Sequence, residues 1–182
     1  MRHIPALCFG AAIIVMLVAV ARPTMHLTTA QPEGTVVLVF DVSNSMRATD
    51  VLPSRLDAAK SAARSFVVGH RRRMKIGVVA FTDGGVLVQR PTSDMSAVLA
   101  AIDRLRPRGA TSLGQGMFTA LSAIAGGPLG IDPLSLGGET ASIAYLGPAT
   151  MLLFSDGENT STPDPLDVAK LASVAGVRGR CC

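Results

Sequence analysis

Short apolar runs divide this chain into predicted strands. Residues 35–40 are continuously apolar, and further runs cover about 75–81 and 150–154. A continuous run, rather than an alternating one, is typical of a parallel strand covered on both faces. A shorter run at 86–89 follows the second strand across the turn Thr82-Asp83-Gly84-Gly85, which predicts a hairpin. We therefore expect a mostly parallel sheet with one antiparallel strand at an edge.

Helical spacing of apolar residues fills most of the gaps between these strands. Ser54, with Asp57 three positions on, marks the start of the first helix. Asp164 and Pro165 start the last one, which Gly176 ends. The stretch from Gly126 to Gly147 is rich in glycine and predicts a loop. The apolar helix positions are Leu56, Ala59, Ala63, Phe66 and Val67, then Met95, Val98, Leu99 and Ile102, then Leu113, Met117, Leu121 and Ile124.

The N-terminal segment from Ile4 to Ala21 carries no charge over eighteen residues. This length is the lower limit for a helix that spans a bilayer. A secretory signal is the alternative, because Ala19-Val20-Ala21 fits a small-x-small cleavage pattern. A buried core helix is the third interpretation. We favour the anchor, since the run is longer than most signal segments, and either leading interpretation predicts export of the domain.

Composition adds little to this picture. The chain has 182 residues and 48% hydrophobic residues, with a net charge of +4. Its one dense basic cluster, residues 70–75, precedes a strand and is typical of a solvated helix end. No aromatic residues interleave with it, so nucleic-acid binding has no support. Cys8, Cys181 and Cys182 do not have zinc-ligand spacing.

Three polar motifs fall where predicted elements begin or end. Asp41-Val42-Ser43-Asn44-Ser45 follows the first strand, and Phe154-Ser155-Asp156-Gly157 ends the last one. Gly109-Ala110-Thr111-Ser112-Leu113 precedes the third helix. Ligand sites of open α/β sheets form at the carboxyl ends of the strands. Carboxylate and hydroxyl oxygens suit Mg²⁺ or Mn²⁺ better than zinc. The alternative is a solvated loop without a metal.

These three motifs resemble those of the von Willebrand factor A (VWA) family, which includes the integrin I domains. The resemblance implies a Rossmann-like, doubly wound α/β fold with a metal-ion-dependent adhesion site. Ser43, Ser45 and Thr111 would then ligate Mg²⁺ or Mn²⁺, directly or through water. Asp41 and Asp156 would hold the ion largely through bound water. The ion would accept an Asp or Glu carboxylate from a partner protein.

The resemblance covers residues 35–178. Residues 1–22 would be the transmembrane anchor or signal, 23–34 a linker, and 179–182 an aberrant tail. VWA domains continue beyond the last helix with further strands, so we expect an incomplete, truncated domain here. The strand that ends near Asp156 would become a sheet edge, and residues 151–154 would be poorly covered.

The flanking sequence is similar to bacterial membrane-anchored VWA proteins of the aerotolerance (Bat-type) group. The similarity rests on the uncharged span after Arg2-His3-Ile4-Pro5 and on the motif of residues 41–51 followed by Pro53-Ser54-Arg55. It implies a cell-membrane protein with a single N-terminal pass and an extracytoplasmic VWA domain. It also implies association with a MoxR-type AAA+ ATPase.

Three functions follow in order of preference. The first is a cation-dependent protein-binding module without enzymatic activity. The second is a non-functional truncated remnant. The third is a Mg²⁺-dependent hydrolase with Asp41 as nucleophile, which would need a second acidic residue and a general acid or base. No phosphate-binding loop, serine-hydrolase elbow or zinc-protease motif is present in the sequence.

Overall fold

The computed structural model describes residue 4 and residues 34–70, 74–136, 143–157, 159 and 161–181. The strands are β1 (Gly34–Asp41), β2 (Met74–Phe81), β3 (Gly85–Thr92), β4 (Ala149–Phe154) and β5 (Val177–Cys181). The helices are α1 (Arg55–Gly69), α2 (Met95–Arg104), α3 (Leu113–Ala125) and α4 (Pro165–Val174). Short 3₁₀ turns lie at Asn44–Arg47 and Pro133–Ser135.

The five strands form one sheet in the order β3-β2-β1-β4-β5. All neighbouring pairs are parallel except β2 and β3, which pair antiparallel at the edge. The predicted α/β class and the antiparallel edge strand are therefore confirmed. The central position of β1 explains its unbroken apolar sequence, because both of its faces are covered.

Helices cover both faces of the sheet. Val36, Leu38 and Phe40 of β1 belong to one apolar cluster, with residues of α1 and α2. Val37 and Val39 belong to the other cluster, with residues of α3 and α4. This alternation is the doubly wound arrangement that the sequence predicts.

Local capping agrees with the sequence at both predicted helix starts. The Ser54 side chain accepts a hydrogen bond from the Asp57 backbone N–H, and Asp164 accepts one from Leu166. These bonds satisfy backbone donors that a helix leaves without partners in its first turn. Ser54 is the N-cap of α1, so Arg55 is the first residue of the helix.

The expectation that β4 forms a sheet edge is wrong. Gly176 has a positive φ of 79°, which turns the chain directly after α4. Residues 177–181, including most of the predicted aberrant tail, then pair with β4 in parallel. Backbone pairing requires no particular side chains, so this sequence forms a strand although only Val177 is buried. Residues 151–154 are buried, contrary to the expected poor cover.

Some predictions concern residues outside this description. Apart from Ile4, the apolar N-terminal segment and the linker to residue 33 lie there, as do Arg71 to Arg73, Cys8 and Cys182. Within the described ranges, no helix combines the length and apolar character needed to cross a bilayer. The predicted loop from Gly126 to Gly147 contains the 3₁₀ turn at Pro133–Ser135, and its residues 137–142 also lie outside the description.

Candidate metal centre

Strand register brings two of the three polar motifs together. Phe40 of β1 lies opposite Phe154 of β4, and their rings stack with centroids 4.8 Å apart. Asp41 and Ser155 are the next residues on these two parallel strands. Their side chains therefore meet at the carboxyl edge of the sheet, where the sequence places the site.

Asp41 is a fully buried carboxylate held by neutral donors. Its Oδ1 accepts the Ser43 backbone N–H at 2.8 Å, and its Oδ2 accepts the Ser155 hydroxyl at 3.0 Å. The residue has 0% exposure. Among the described residues no Lys, Arg or His forms an ion pair with it. A buried charge is costly unless a counter-charge compensates it, so this arrangement favours a bound cation.

Two hydroxyls accompany this carboxylate. Ser43 is 1% exposed and Ser45 is half-buried, and their Oγ atoms lie 2.9 Å apart. The 3₁₀ turn that starts at Asn44 folds the chain back on Ser43, whose carbonyl accepts the Met46 N–H. The tight turn brings the side chains of Ser43 and Ser45 together.

Backbone contacts bring the third motif to the same loop. The Asn44 N–H donates to the Gly109 carbonyl at 3.1 Å, and the Arg108 N–H donates to the Val42 carbonyl. Gly109 adopts a φ of 82°, which favours glycine, and a Cβ there would lie 3.1 Å from Thr82. Thr111, two residues on, is 4% exposed. The predicted threonine is thus buried in a loop that contacts the Asp41–Ser45 segment.

Asp156 has a cationic partner. Its Oδ2 accepts Arg55 Nη1 at 2.9 Å, and the carboxylate side chain is 11% exposed. The same guanidinium donates to Asp50 through Nε and Nη2, both at 2.9 Å in their shortest contacts. The hydrogen bond from Arg55 holds the pKa of Asp50 below its ordinary value, and Asp50 in turn raises the pKa of Arg55.

Sequence reasoning missed two members of this group. Ser155 lies in one of the three polar motifs without a predicted role, and Arg55 belongs to the run Pro53-Ser54-Arg55 without a predicted role at the site. A signal for Ser155 was available, because it follows β4 just as Asp41 ends β1. No local signal marks Arg55, which lies 101 positions from Asp156 in the chain.

The donor set fits a hard divalent cation. Asp41, Ser43, Ser45, Thr111 and Asp156 offer only oxygen atoms, as Mg²⁺ and Mn²⁺ prefer. In the described ranges no group of three or more His, Cys, Asp and Glu side chains is placed to hold a metal. A metal site at this edge would therefore depend on hydroxyls together with two carboxylates.

The fold defines a class of protein, and sequence comparison identifies that class. A profile of the von Willebrand factor type A domain matches residues 36–158. The chain belongs to this family, whose members are often metal-dependent and generally act as interaction or adhesion modules.

Among individual relatives, the chain is 38% identical over 166 residues to a UPF0353 protein of Mycobacterium sp. strain KMS. It is 36% identical to the UPF0353 protein of Mycobacterium tuberculosis strain H37Ra. Both alignments cover 90% of this chain and 46% of the relative. The chain thus spans about half the length of the curated relatives it matches.

Solved structures agree on the fold. An aerotolerance-related membrane protein from Bacteroides fragilis superposes with a TM-score of 0.64 at 24% identity, over 81% of this chain and 66% of that one. BatB from Bacteroides thetaiotaomicron gives 0.61 at 24% identity, over 81% and 65%. A von Willebrand factor type A domain from Catenulispora acidiphila gives 0.58 at 21%, over 82% and 32%.

Proposed function

We propose that this domain is a divalent-cation-dependent protein-binding module. Mg²⁺ or Mn²⁺ would be held by Asp41, Ser43, Ser45, Thr111 and Asp156. The observation that carries the proposal is Asp41, a carboxylate with 0% exposure whose partners are a backbone N–H and a serine hydroxyl. Neutral donors orient this group without neutralising it, so a divalent ion is the natural compensating charge.

The bound ion would supply a Lewis-acidic position for a carboxylate oxygen of an Asp or Glu on a partner protein. The hydroxyls of Ser43, Ser45 and Thr111 add no formal negative charge, and the carboxylates of Asp41 and Asp156 add two. A divalent ion in this set retains affinity for a further carboxylate. Binding would then require both the cation and an acidic residue of the partner.

Binding is favoured over catalysis by the surroundings of Asp41. A nucleophilic carboxylate must reach its substrate, whereas Asp41 is buried and both of its oxygens accept hydrogen bonds. Of the three histidines only His70 is described, and it caps the end of α1 remote from Arg55. A helix of 15 residues is about 22 Å long, so His70 cannot serve as general acid at this edge.

We further propose that the domain acts on the extracytoplasmic side of a cell membrane. Support comes from the uncharged segment Ile4 to Ala21 and from the fold shared with an aerotolerance-related membrane protein. A MoxR-type AAA+ ATPase is the partner system that the Bat-type resemblance implies. Alkaline carbonate extraction tests membrane integration, and protease protection in spheroplasts tests which side holds the domain. Recovery as a soluble cytoplasmic protein with an intact N-terminus would contradict this placement.

Calorimetric titration of the full chain with Mg²⁺ and Mn²⁺ tests the site itself. We expect saturable binding that Asp41→Ala abolishes. Immobilised peptides with a central Glu or Asp should then be retained in Mg²⁺ and released by EDTA, while peptides with Gln or Asn at that position should not be retained. A wild-type chain that is folded and yet binds neither ion would refute the function.

A further inference from the structure

Arg55 is the one cationic side chain that the described residues show in contact with the candidate ligands. Its Nη1 donates to Asp156, while Nε and Nη2 form a two-point contact with Asp50. Asp50 is 54% exposed, whereas Asp156 is 11% exposed. The guanidinium thus joins an exposed carboxylate to a nearly buried one.

The position of Arg55 is fixed by backbone structure. It is the first residue of α1, and its N–H donates to the Ala48 carbonyl at 3.0 Å. The planar guanidinium offers donors along two edges, which allows one side chain to serve both carboxylates. Because both ends of the arginine are held, its contact with Asp156 belongs to the folded domain and differs from a freely rotating surface pair.

We propose that Arg55 competes with the divalent ion for Asp156 and thereby makes the ion depend on the partner's carboxylate. This inference rests on the proposed function of the site. A carboxylate oxygen that accepts Arg55 Nη1 at 2.9 Å has less negative charge to offer a cation. The remaining donors would leave part of the ion's positive charge uncompensated. An acidic residue of the partner would supply the missing negative charge.

The size of the effect follows from the charges. At an effective dielectric constant of 20, a unit positive charge about 8 Å from a divalent ion weakens its binding by about a thousand-fold as an upper bound. The Arg55 side chain is 34% exposed, so solvent screening reduces this. We therefore expect removal of the charge to tighten cation binding by about ten-fold.

The experiment measures Mn²⁺ affinity by electron paramagnetic resonance in the full chain. Arg55→Met keeps an unbranched stem without the charge and should bind Mn²⁺ about ten-fold more tightly than wild type. Asp50→Asn removes the charge of the second partner of Arg55, so the guanidinium would pair with Asp156 alone. Mn²⁺ binding should therefore weaken by a few-fold. Arg64→Met is the matched control, because Arg64 lies on the same helix and pairs with Asp103. It should leave the affinity unchanged.

A second readout uses acetate as a carboxylate probe on the Mn²⁺-loaded protein, followed by water-proton relaxation. Acetate should displace bound water from wild type at lower concentration than from Arg55→Met. A merely structural role of Arg55 predicts weaker Mn²⁺ binding in both Arg55→Met and Asp50→Asn, and that result would overturn the inference. If Arg55→Met fails to fold, Arg55→Lys decides, since its retained charge should keep Mn²⁺ affinity within about three-fold of wild type, whereas a loss beyond ten-fold would overturn the inference.

The two proposals can fail separately. Wild-type protein that binds Mn²⁺, together with an Arg55→Met variant of equal or lower affinity, would overturn only the role of Arg55. Wild-type protein that is folded and binds no Mn²⁺ would overturn the proposed function, and the role of Arg55 with it.

Discussion

Asp41 at the end of β1 and Asp156 in the loop after β4 lie at the same edge of the sheet, yet the two carboxylates are held differently. Asp41 is buried and accepts hydrogen bonds from neutral groups. Asp156 accepts a charged donor, Arg55. Neutral hydrogen-bond donors orient Asp41 without supplying a counter-charge, whereas Arg55 both orients Asp156 and supplies a positive charge.

The position of a carboxylate in a motif therefore does not determine its electrostatic role. Asp41 is the carboxylate on which a cation site would depend, because the described residues provide no positive charge beside it. Asp156 would contribute less to cation affinity, because Arg55 already compensates much of its charge. Five measurements test this contrast and the packing around it.

The largest expected effect is that of Asp41→Asn. Loss of one unit charge about 4 Å from a divalent ion corresponds to about 8 kcal/mol at an effective dielectric constant of 20, which is an upper bound, so we expect the affinity to fall by at least about a thousand-fold. Asp156→Asn should weaken binding much less. Titration calorimetry with Mn²⁺ measures both, and equal losses in the two variants would contradict the contrast.

In the absence of metal, the same variant should not lose stability. An amide at position 41 can still accept from the Ser43 N–H and can donate to the Ser155 hydroxyl, but it does not bury a charge. In EDTA, Asp41→Asn should therefore melt at or above the wild-type temperature. A clear loss of stability in EDTA would show that Asp41 is compensated in the absence of a metal.

Ser155→Ala should have the next largest effect. The Ser155 hydroxyl donates to Asp41 at 3.0 Å and orients the carboxylate. Loss of such a supporting partner typically costs about 10- to 100-fold in metal affinity. Ser122→Ala is the control, because the Ser122 hydroxyl donates to the Phe118 carbonyl within α3 and contacts none of the proposed ligands. Equal Mn²⁺ affinity in Ser155→Ala and wild type would argue against Asp41 as a ligand.

Gly114→Ala tests how the Thr111 loop is held against the loop after β4. A Cβ at Gly114 would lie 2.1 Å from the Pro163 carbonyl oxygen. Overpacking of this kind costs about 1–3 kcal/mol, although alanine is the better helix former. Gly69→Ala, where a Cβ meets nothing within 4 Å, should be neutral or stabilising. Urea unfolding distinguishes the two, and equal stability would contradict this packing.

The smallest effect concerns Asp50 and pH. Arg55 lowers the pKa of Asp50, so the contribution of the pair to stability is present above the unfolded-state pKa, near 3.8, and is lost as pH falls through the folded-state value. Carboxyl titration by NMR should show a pKa below the ordinary value in wild type and a return towards it in Arg55→Met. An unchanged Asp50 pKa in that variant would assign the shift to another group.

Much of the fold could be predicted because its causes are local. The unbroken apolar run of β1 requires cover on two faces, and the structure provides helices on both. The side chains of Ser54 and Asp164 accept hydrogen bonds from backbone N–H groups in the first turn of each helix. Both helices therefore begin where the sequence predicts. The convergence of the loops after β1 and β4 also follows, because carboxyl ends of parallel strands meet at one edge.

Other features were decided by tertiary structure. Lys60 lies on the first helix and would be expected in solvent, yet it is 7% exposed and its Nζ donates to the Leu105 carbonyl at 2.8 Å. Burial lowers the pKa of Lys60, since desolvation disfavours its charged form. β5 also forms although its sequence has little strand character, because its backbone groups pair with those at the edge of β4.

Local sequence patterns were enough to place Asp41 at the end of the first apolar run, Ser43, Ser45 and Thr111 in polar loops, and Asp156 after the last apolar run. The burial of Asp41 among neutral donors and the contact of Arg55 with Asp156, 101 positions away in the chain, arise from tertiary packing. The reason is physical. Periodicity and capping depend on neighbours in sequence, whereas the charge surrounding a carboxylate depends on strand register and helix placement, which bring together residues far apart in the chain.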